Sequence, residues 1–134
     1  MENRDSIILS LREANVGAIS NNSSEEESFQ NRTLRPILKA QNDLFIAVFM
    51  NYAIKQKNTF FSLSPEKKMD YIENTIQRDI KFRNSLKGIV IGLFTIAEYN
   101  DYVQNSSNLN KRMMTMLVER LKSQILLLEI VDLK

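Results

Sequence analysis

The sequence predicts an all-α protein, with four to five helices in an antiparallel bundle and a flexible N-terminal tail. Three observations predict it. The 134 residues include only 3 Gly and 2 Pro, too few turn-formers for a sandwich or barrel. Apolar residues recur at spacings of three and four in four segments, as on one face of a helix. Capping sequences led by Ser or Thr stand at the heads of several of these segments. The length fits one domain and suffices to bury a core without disulfides or metals.

Residues 1–23 read as an acidic tail and residues 24–134 as the helical domain. Val16-Gly17-Ala18 and Asn21-Asn22-Ser23 offer little to bury, although the apolar stretch 6–11 has enough character to dock as a strand or a turn of helix. Ser24-Glu25-Glu26-Glu27 is a capping box with acids at the positive helix end. Pro36 fits a first helical turn capped by Thr33. Leu34, Leu38, Gln41, Phe45, Val48 and Tyr52 then share one face of a helix predicted over 34–57.

Ser64-Pro65-Glu66 combines a cap, a proline at the first position and an early acid, a strong helix start. Residues 65–94 form either one helix or two. A break near Asp79, itself a good cap, is favoured because helices of about 30 residues are unusual in small domains. Gly88 and Gly92, one turn beyond Ser85, make a smooth stripe that predicts a tight helix crossing. Thr95-Ile96-Ala97-Glu98 is a second capping box, opening a helix through Tyr99, Tyr102 and Val103. A turn is predicted over 105–108, with Ser107 as cap. The last helix runs from Leu109 to about Glu129, with Leu109, Met113, Met116, Leu117, Arg120, Leu121, Gln124 and Leu128 on its stripe.

Composition excludes several chemistries. Cysteine and histidine are both absent. Ser-His-Asp and Cys-His hydrolysis are therefore impossible, and the usual zinc and di-iron ligand sets cannot be assembled. No cofactor or metal site is expected, no catalytic residues are identified, and no glycine-rich phosphate loop exists. No apolar run approaches the roughly 18 residues of a membrane span, and no leader pattern is present, so a cytoplasmic location is expected. Residues 1–30 carry two basic and six acidic groups, a net of −4. Residues 31–134 carry 16 basic and 10 acidic groups, a net of +6.

The remaining candidates are small clusters. Gln41 falls on an apolar stripe, where a polar residue must find hydrogen bonds or cost roughly 1–3 kcal/mol. It is expected to meet Arg83, with Asn84 and Lys87, either in a network that fixes helix register or in a small-ligand pocket. Lys111 and Arg112 lie in the first turn of the last helix, where the dipole disfavours cations. They mark an anion contact or are offset by Glu98 or Asp101. Tyr99 and Tyr102 offer either core packing or a base-stacking platform. Residues 125–131 are apolar all round, which a small monomer cannot fully bury. Either the short apolar elements 6–11 and 60–63 cover them, or Leu126, Leu127 and Ile130 are the candidate interface of a homodimer.

The segments Asn31-Arg32-Thr33-Leu34-Arg35-Pro36-Ile37-Leu38-Lys39 and Gln41-Asn42-Asp43-Leu44-Phe45 resemble a family of short uncharacterised all-helical bacterial proteins, sometimes labelled glyoxalase. So do Ile80-Lys81-Phe82-Arg83-Asn84-Ser85-Leu86-Lys87-Gly88 and Asn108-Leu109-Asn110-Lys111-Arg112-Met113-Met114. The resemblance covers most of residues 28–125 and implies a helical fold. Glyoxalase I-type enzymes use His and Glu metal ligands on a βαβββ fold, so the resemblance transfers no site residue to this histidine-free chain. The sequence therefore favours a helical protein-interaction or oligomerisation module without catalysis, partnered by itself or another protein. The alternatives are a small-ligand-binding protein or enzyme using the Arg/Lys/Gln cluster, and a nucleic-acid or ribonucleoprotein accessory protein.

Overall fold

Short polar side chains set the helix starts. A computed structural model describes residues 3–12 and 24–132, with side chains described up to Leu126. Ser24 Oγ accepts from the Glu27 N–H at 3.1 Å and opens α2 (Glu25–Phe29). Ser64 Oγ accepts from the Lys67 N–H at 3.3 Å and opens α5 (Pro65–Arg78). Asp79 Oδ1 accepts from the Phe82 N–H at 3.1 Å, so one chain direction ends and α6 (Ile80–Ile91) begins. Thr95 and Glu98 form the reciprocal box that opens α7 (Ile96–Gln104). Each such cap satisfies otherwise orphaned N–H groups and is worth about 1 kcal/mol.

The other elements are α1 (Arg4–Leu11), a π-helical run (Gln30–Leu34), α3 (Arg35–Ala40), α4 (Asn42–Lys55), a 3-10 turn (Thr59–Ser62) and α8 (Ser106–Asp132). No strand occurs among the described residues, so the all-α class holds. The helices among the described residues are more numerous than the four or five expected, and particular residues cause the breaks. Pro36 lacks an N–H, which leaves the Arg32 carbonyl, four residues earlier, without its α-helical donor. The chain passes this point in the π-helical run, and Arg12 Nη2 donates to the Arg32 carbonyl at 3.2 Å. Thr33 is therefore not a cap; it lies buried inside a continuing helix.

The helix predicted over 34–57 is broken at Gln41, whose φ of −98° and ψ of 8° leave the helical region. The break rotates the buried face. Phe45, Phe49 and Ala53 point inward, while Val48 and Tyr52 are only half-buried. The turn before α8 is also shorter than predicted: α8 starts at Ser106 rather than Leu109, and Asn105 alone leaves the helical region. The tight crossing expected at the glycines is absent. Gly88 is exposed, and a Cβ built there would meet nothing within 4 Å.

The core forms where α4, α5, α6 and α8 meet. Ile72, Ile76, Leu86, Met113 and Leu117 are fully buried. Phe49 lies edge-on to Phe60 with centroids 5.1 Å apart and edge-on to Tyr71 at 6.2 Å. Tyr52 stacks on Phe82 at 4.2 Å and donates its hydroxyl to Asp79 Oδ2 at 2.7 Å. Burial, reinforced by that carboxylate, pushes the Tyr52 hydroxyl up to about 12.

The N-terminal segment departs most from expectation. Residues 3–12 are not a free tail: Arg4–Leu11 form α1, capped by Asn3 and Arg12, which docks as helix and buries Ile8. Residues 1–2 and 13–23 of the expected tail lie outside the described residues. Two arginines hold α1 in place. Arg4 donates to the carbonyls of Phe94 at 2.8 Å and Gly92 at 3.2 Å. Arg12, its side chain 1% exposed, donates to the Leu93 carbonyl at 3.2 Å and grips Glu98 through both Nη groups at 2.6 and 3.0 Å. Glu98 also accepts from Thr33 Oγ1 at 2.7 Å and the Thr95 N–H at 2.8 Å. Burial pushes the Glu98 carboxyl up, but the Arg12 guanidinium, the Thr33 hydroxyl and the Thr95 N–H outweigh it and hold it below the ordinary 4.5.

Removing one member of a buried pair leaves an uncompensated charge and costs about 3–5 kcal/mol. Arg12→Ala is expected to lose stability on that scale in urea unfolding. A loss under 1 kcal/mol would refute the role assigned to Arg12. A carboxyl held low in the folded state stabilises fully above its unfolded value, and that contribution is lost as pH falls through the folded one. Unfolding free energy is therefore expected to decline as pH drops below about 4.5, and Glu98→Gln should flatten the decline when the same titration is repeated.

Candidate functional site

A groove of about 460 Å³ runs along α8, walled by α5 and α6. It lies within the size range of small-molecule sites. Its lining comes from regularly spaced positions. Ser107, Asn110, Lys111, Met114, Thr115, Val118 and Glu119 follow one another at helical spacing up a single face of α8. Across from them stand Glu73, Ile76 and Gln77 of α5 and Arg83 and Lys87 of α6. The break at Asp79 makes this possible. It starts a new helix whose residues at i and i+4, Arg83 and Lys87, share a face.

Three cations from two helices thus line one cavity. Among the described residues Lys87 and Lys111 have no carboxylate partner, and the Arg83 side chain donates to the Gln77 carbonyl at 2.9 Å. Like charges left together without carboxylates cost stability, and an anion bound between them removes that cost. Of the two acids in the lining, Glu73 is already taken by Lys122 Nζ at 3.1 Å. Ile76 and Val118 are buried and give the groove an apolar floor.

The structure joins parts of two clusters that the sequence kept separate, and divides each of them. Arg83 and Lys87 share the groove with Lys111. Gln41 does not belong to it: Gln41 Nε2 donates to the Ile89 carbonyl at 3.4 Å, and the expected Gln41–Arg83 contact is replaced by that bond and by the bond from Arg83 to Gln77. Asn84 is exposed and does not line the groove. Arg112 turns away, donating to Gln30 Oε1 at 2.8 Å and pairing with Glu26 at 3.4 Å. Its offset is therefore Glu26, rather than Glu98 or Asp101. The Asn105 side-chain amide, Arg112 and Asn108 hold the Glu26 carboxyl below its ordinary value despite an opposing desolvation.

A polar network of the kind expected around Gln41 forms from other residues. Arg120 donates to Asn42 Oδ1 at 3.2 Å, and Asn42 donates to Gln124 Oε1 at 3.3 Å. Arg120 and Gln124 on the predicted stripe of the last helix are the available signal for it. A wider depression of about 650 Å³ lies between α2 and α7, but its Glu26 is already engaged by Asn105 and Arg112.

Tyr102 is buried and donates to Asn110 Oδ1 at 2.5 Å, so it offers no face to a nucleobase, whereas Tyr99 is exposed. Leu126 is 38% exposed, and the side chains of Leu127 and Ile130 lie outside the described residues. No helix among the described residues is long and apolar enough to cross a membrane. Among them, no group of three Asp or Glu could hold a metal ion.

No family model, curated protein or solved structure matches the chain, so no residue role comes to the groove from a relative.

The groove cations are expected to contribute little to folding. Substitutions away from buried networks usually stay within about 0.5 kcal/mol. Lys87→Gln and Lys111→Gln should each leave the urea midpoint nearly unchanged or raise it, because they relieve like-charge repulsion. A loss above 1.5 kcal/mol in either variant would mean that the lysine belongs to the fold instead.

Proposed function

We propose that this chain is a small-ligand-binding protein that takes an anionic ligand in the groove between α5, α6 and α8. One observation carries the reading: Arg83, Lys87 and Lys111 converge on a concave cavity, and neither lysine has a carboxylate partner among the described residues. A charge run on an ordinary solvated helix is interleaved with acids; these three cations come from two helices. Among the described residues no hydroxyl of the groove is hydrogen-bonded to a basic side chain, and Thr115 Oγ1 donates instead to the Lys111 carbonyl, which favours binding over catalysis.

Titration of the isotope-labelled protein with inorganic phosphate, followed by amide chemical shifts, tests it. The expected result is saturable shifts at Arg83, Lys87, Ser107 and Lys111. The affinity should fall as salt rises, because exposed charges are screened over about 8 Å at physiological ionic strength. Arg83→Gln should weaken binding several-fold. Small shifts scattered over the surface without saturation would overturn the reading.

A second reading keeps the C-terminal half of α8 as a self-association surface. The exposure of Leu126 favours it. Sedimentation velocity across micromolar concentrations should then show a homodimer, and a monomer throughout would end this reading.

A further inference from the structure

The groove has two chemically different ends. Lys111 and Glu119 both line it and stand eight residues apart on α8, about 12 Å at 1.5 Å per residue. Lys122 of α8 pairs with Glu73 of α5, which sets Glu73 at the Glu119 end. Gln77, one turn further along α5, has its carbonyl bonded by Arg83, which sets the guanidinium on the side toward the end of α5. Lys111 and Glu119 therefore mark opposite ends of the stretch of α8 that lines the groove, and Arg83 and Lys87 line the same cavity from α6. Glu73 is occupied by Lys122, whereas Glu119 is exposed and has no ion-pair partner among the described residues. Between the ends lie Ile76, Met114 and Val118, and no aromatic ring lines the groove.

This pattern selects among anions. A nucleotide finds no ring to stack on. A dicarboxylate or polyphosphate would bring a second negative charge against Glu119. We infer that the groove binds a linear zwitterion with an aliphatic body, its carboxylate among Arg83, Lys87 and Lys111 and its ammonium at Glu119. A long-chain ω-amino acid has this chemistry. So does an extended apolar tripeptide, which spans about 10–11 Å at 3.3–3.6 Å per residue. The inference rests on the anion-binding reading and adds the second recognition point.

Calorimetric titration of the full chain with octanoate, octanedioate, 8-aminooctanoate and trialanine tests it. An exposed ion pair is worth about 0.2–1 kcal/mol, so 8-aminooctanoate should bind up to about fivefold tighter than octanoate. Octanedioate should bind more weakly than either. Glu119→Gln should abolish the preference for 8-aminooctanoate without weakening octanoate, while Lys111→Gln should weaken both. Trialanine exceeding octanoate supports a peptide ligand; trialanine falling below it, with 8-aminooctanoate above, supports an alkyl one. Octanoate or octanedioate binding as well as 8-aminooctanoate would overturn the bipolar inference and leave anion binding standing. No binding in any arm would overturn the bipolar inference, and the absence of saturable phosphate shifts as well would overturn both.

Discussion

The pairing of Arg12 with Glu98 ties together segments that would otherwise be separate. Taking both charges out of water is costly, and their attraction offsets that cost only where further hydrogen bonds satisfy both groups. Here they largely do. Glu98 accepts from Arg12, Thr33 and the Thr95 N–H, and Arg12 also donates to the Leu93 and Arg32 carbonyls. Among the described residues, only Arg12 Nε is buried without a partner. One ion pair thus joins α1, the π-helical run, the end of α6 and the start of α7. It also serves three backbone needs. It gives a donor to the carbonyl that Pro36 leaves without one, it meets a carbonyl of the turn after α6 at the negative end of that helix, and it completes the capping box of α7.

That arrangement explains what the sequence reveals and what it hides. The caps at Ser24, Ser64, Asp79 and Thr95 are legible because cap and helix are within three residues of each other, so local chemistry decides them. The break at Asp79 follows from the same rule. Arg12 and Glu98 are 86 positions apart. Nothing local distinguishes Arg12 from a solvated arginine in an acidic tail, and Glu98 reads fully as half of a capping box. The kink at Gln41 is hidden for a different reason. Either inward face, Phe45–Val48–Tyr52 or Phe45–Phe49–Ala53, fits a helical period, and only the packing against Phe60, Tyr71 and Phe82 selects the second.

The groove was legible in pieces. Arg83 with Lys87, and Lys111 in a disfavoured position, are visible as unusual placements. That they face one cavity depends on α6 turning at Asp79 and returning along α8, which no spacing rule supplies. Arg112 shows the converse. It neighbours Lys111 in sequence, but one residue is about 100° of helical rotation, enough to send it to Glu26 and out of the groove. The division of labour is physical: the buried charges of Arg12 and Glu98 meet each other and serve the fold, while Lys87 and Lys111 of the groove have no carboxylate partner among the described residues and are available to a ligand.

The central claim is that Arg12 and Glu98 act as one unit. A double-mutant cycle with Arg12→Met and Glu98→Gln, read as unfolding free energy at neutral pH, tests it most directly. Contacting residues in one network couple by about 0.5–3 kcal/mol. The account predicts a coupling above 1 kcal/mol, with the double variant more stable than the sum of the single losses implies. Additivity within about 0.3 kcal/mol would contradict it and return α1 to the status of a free tail.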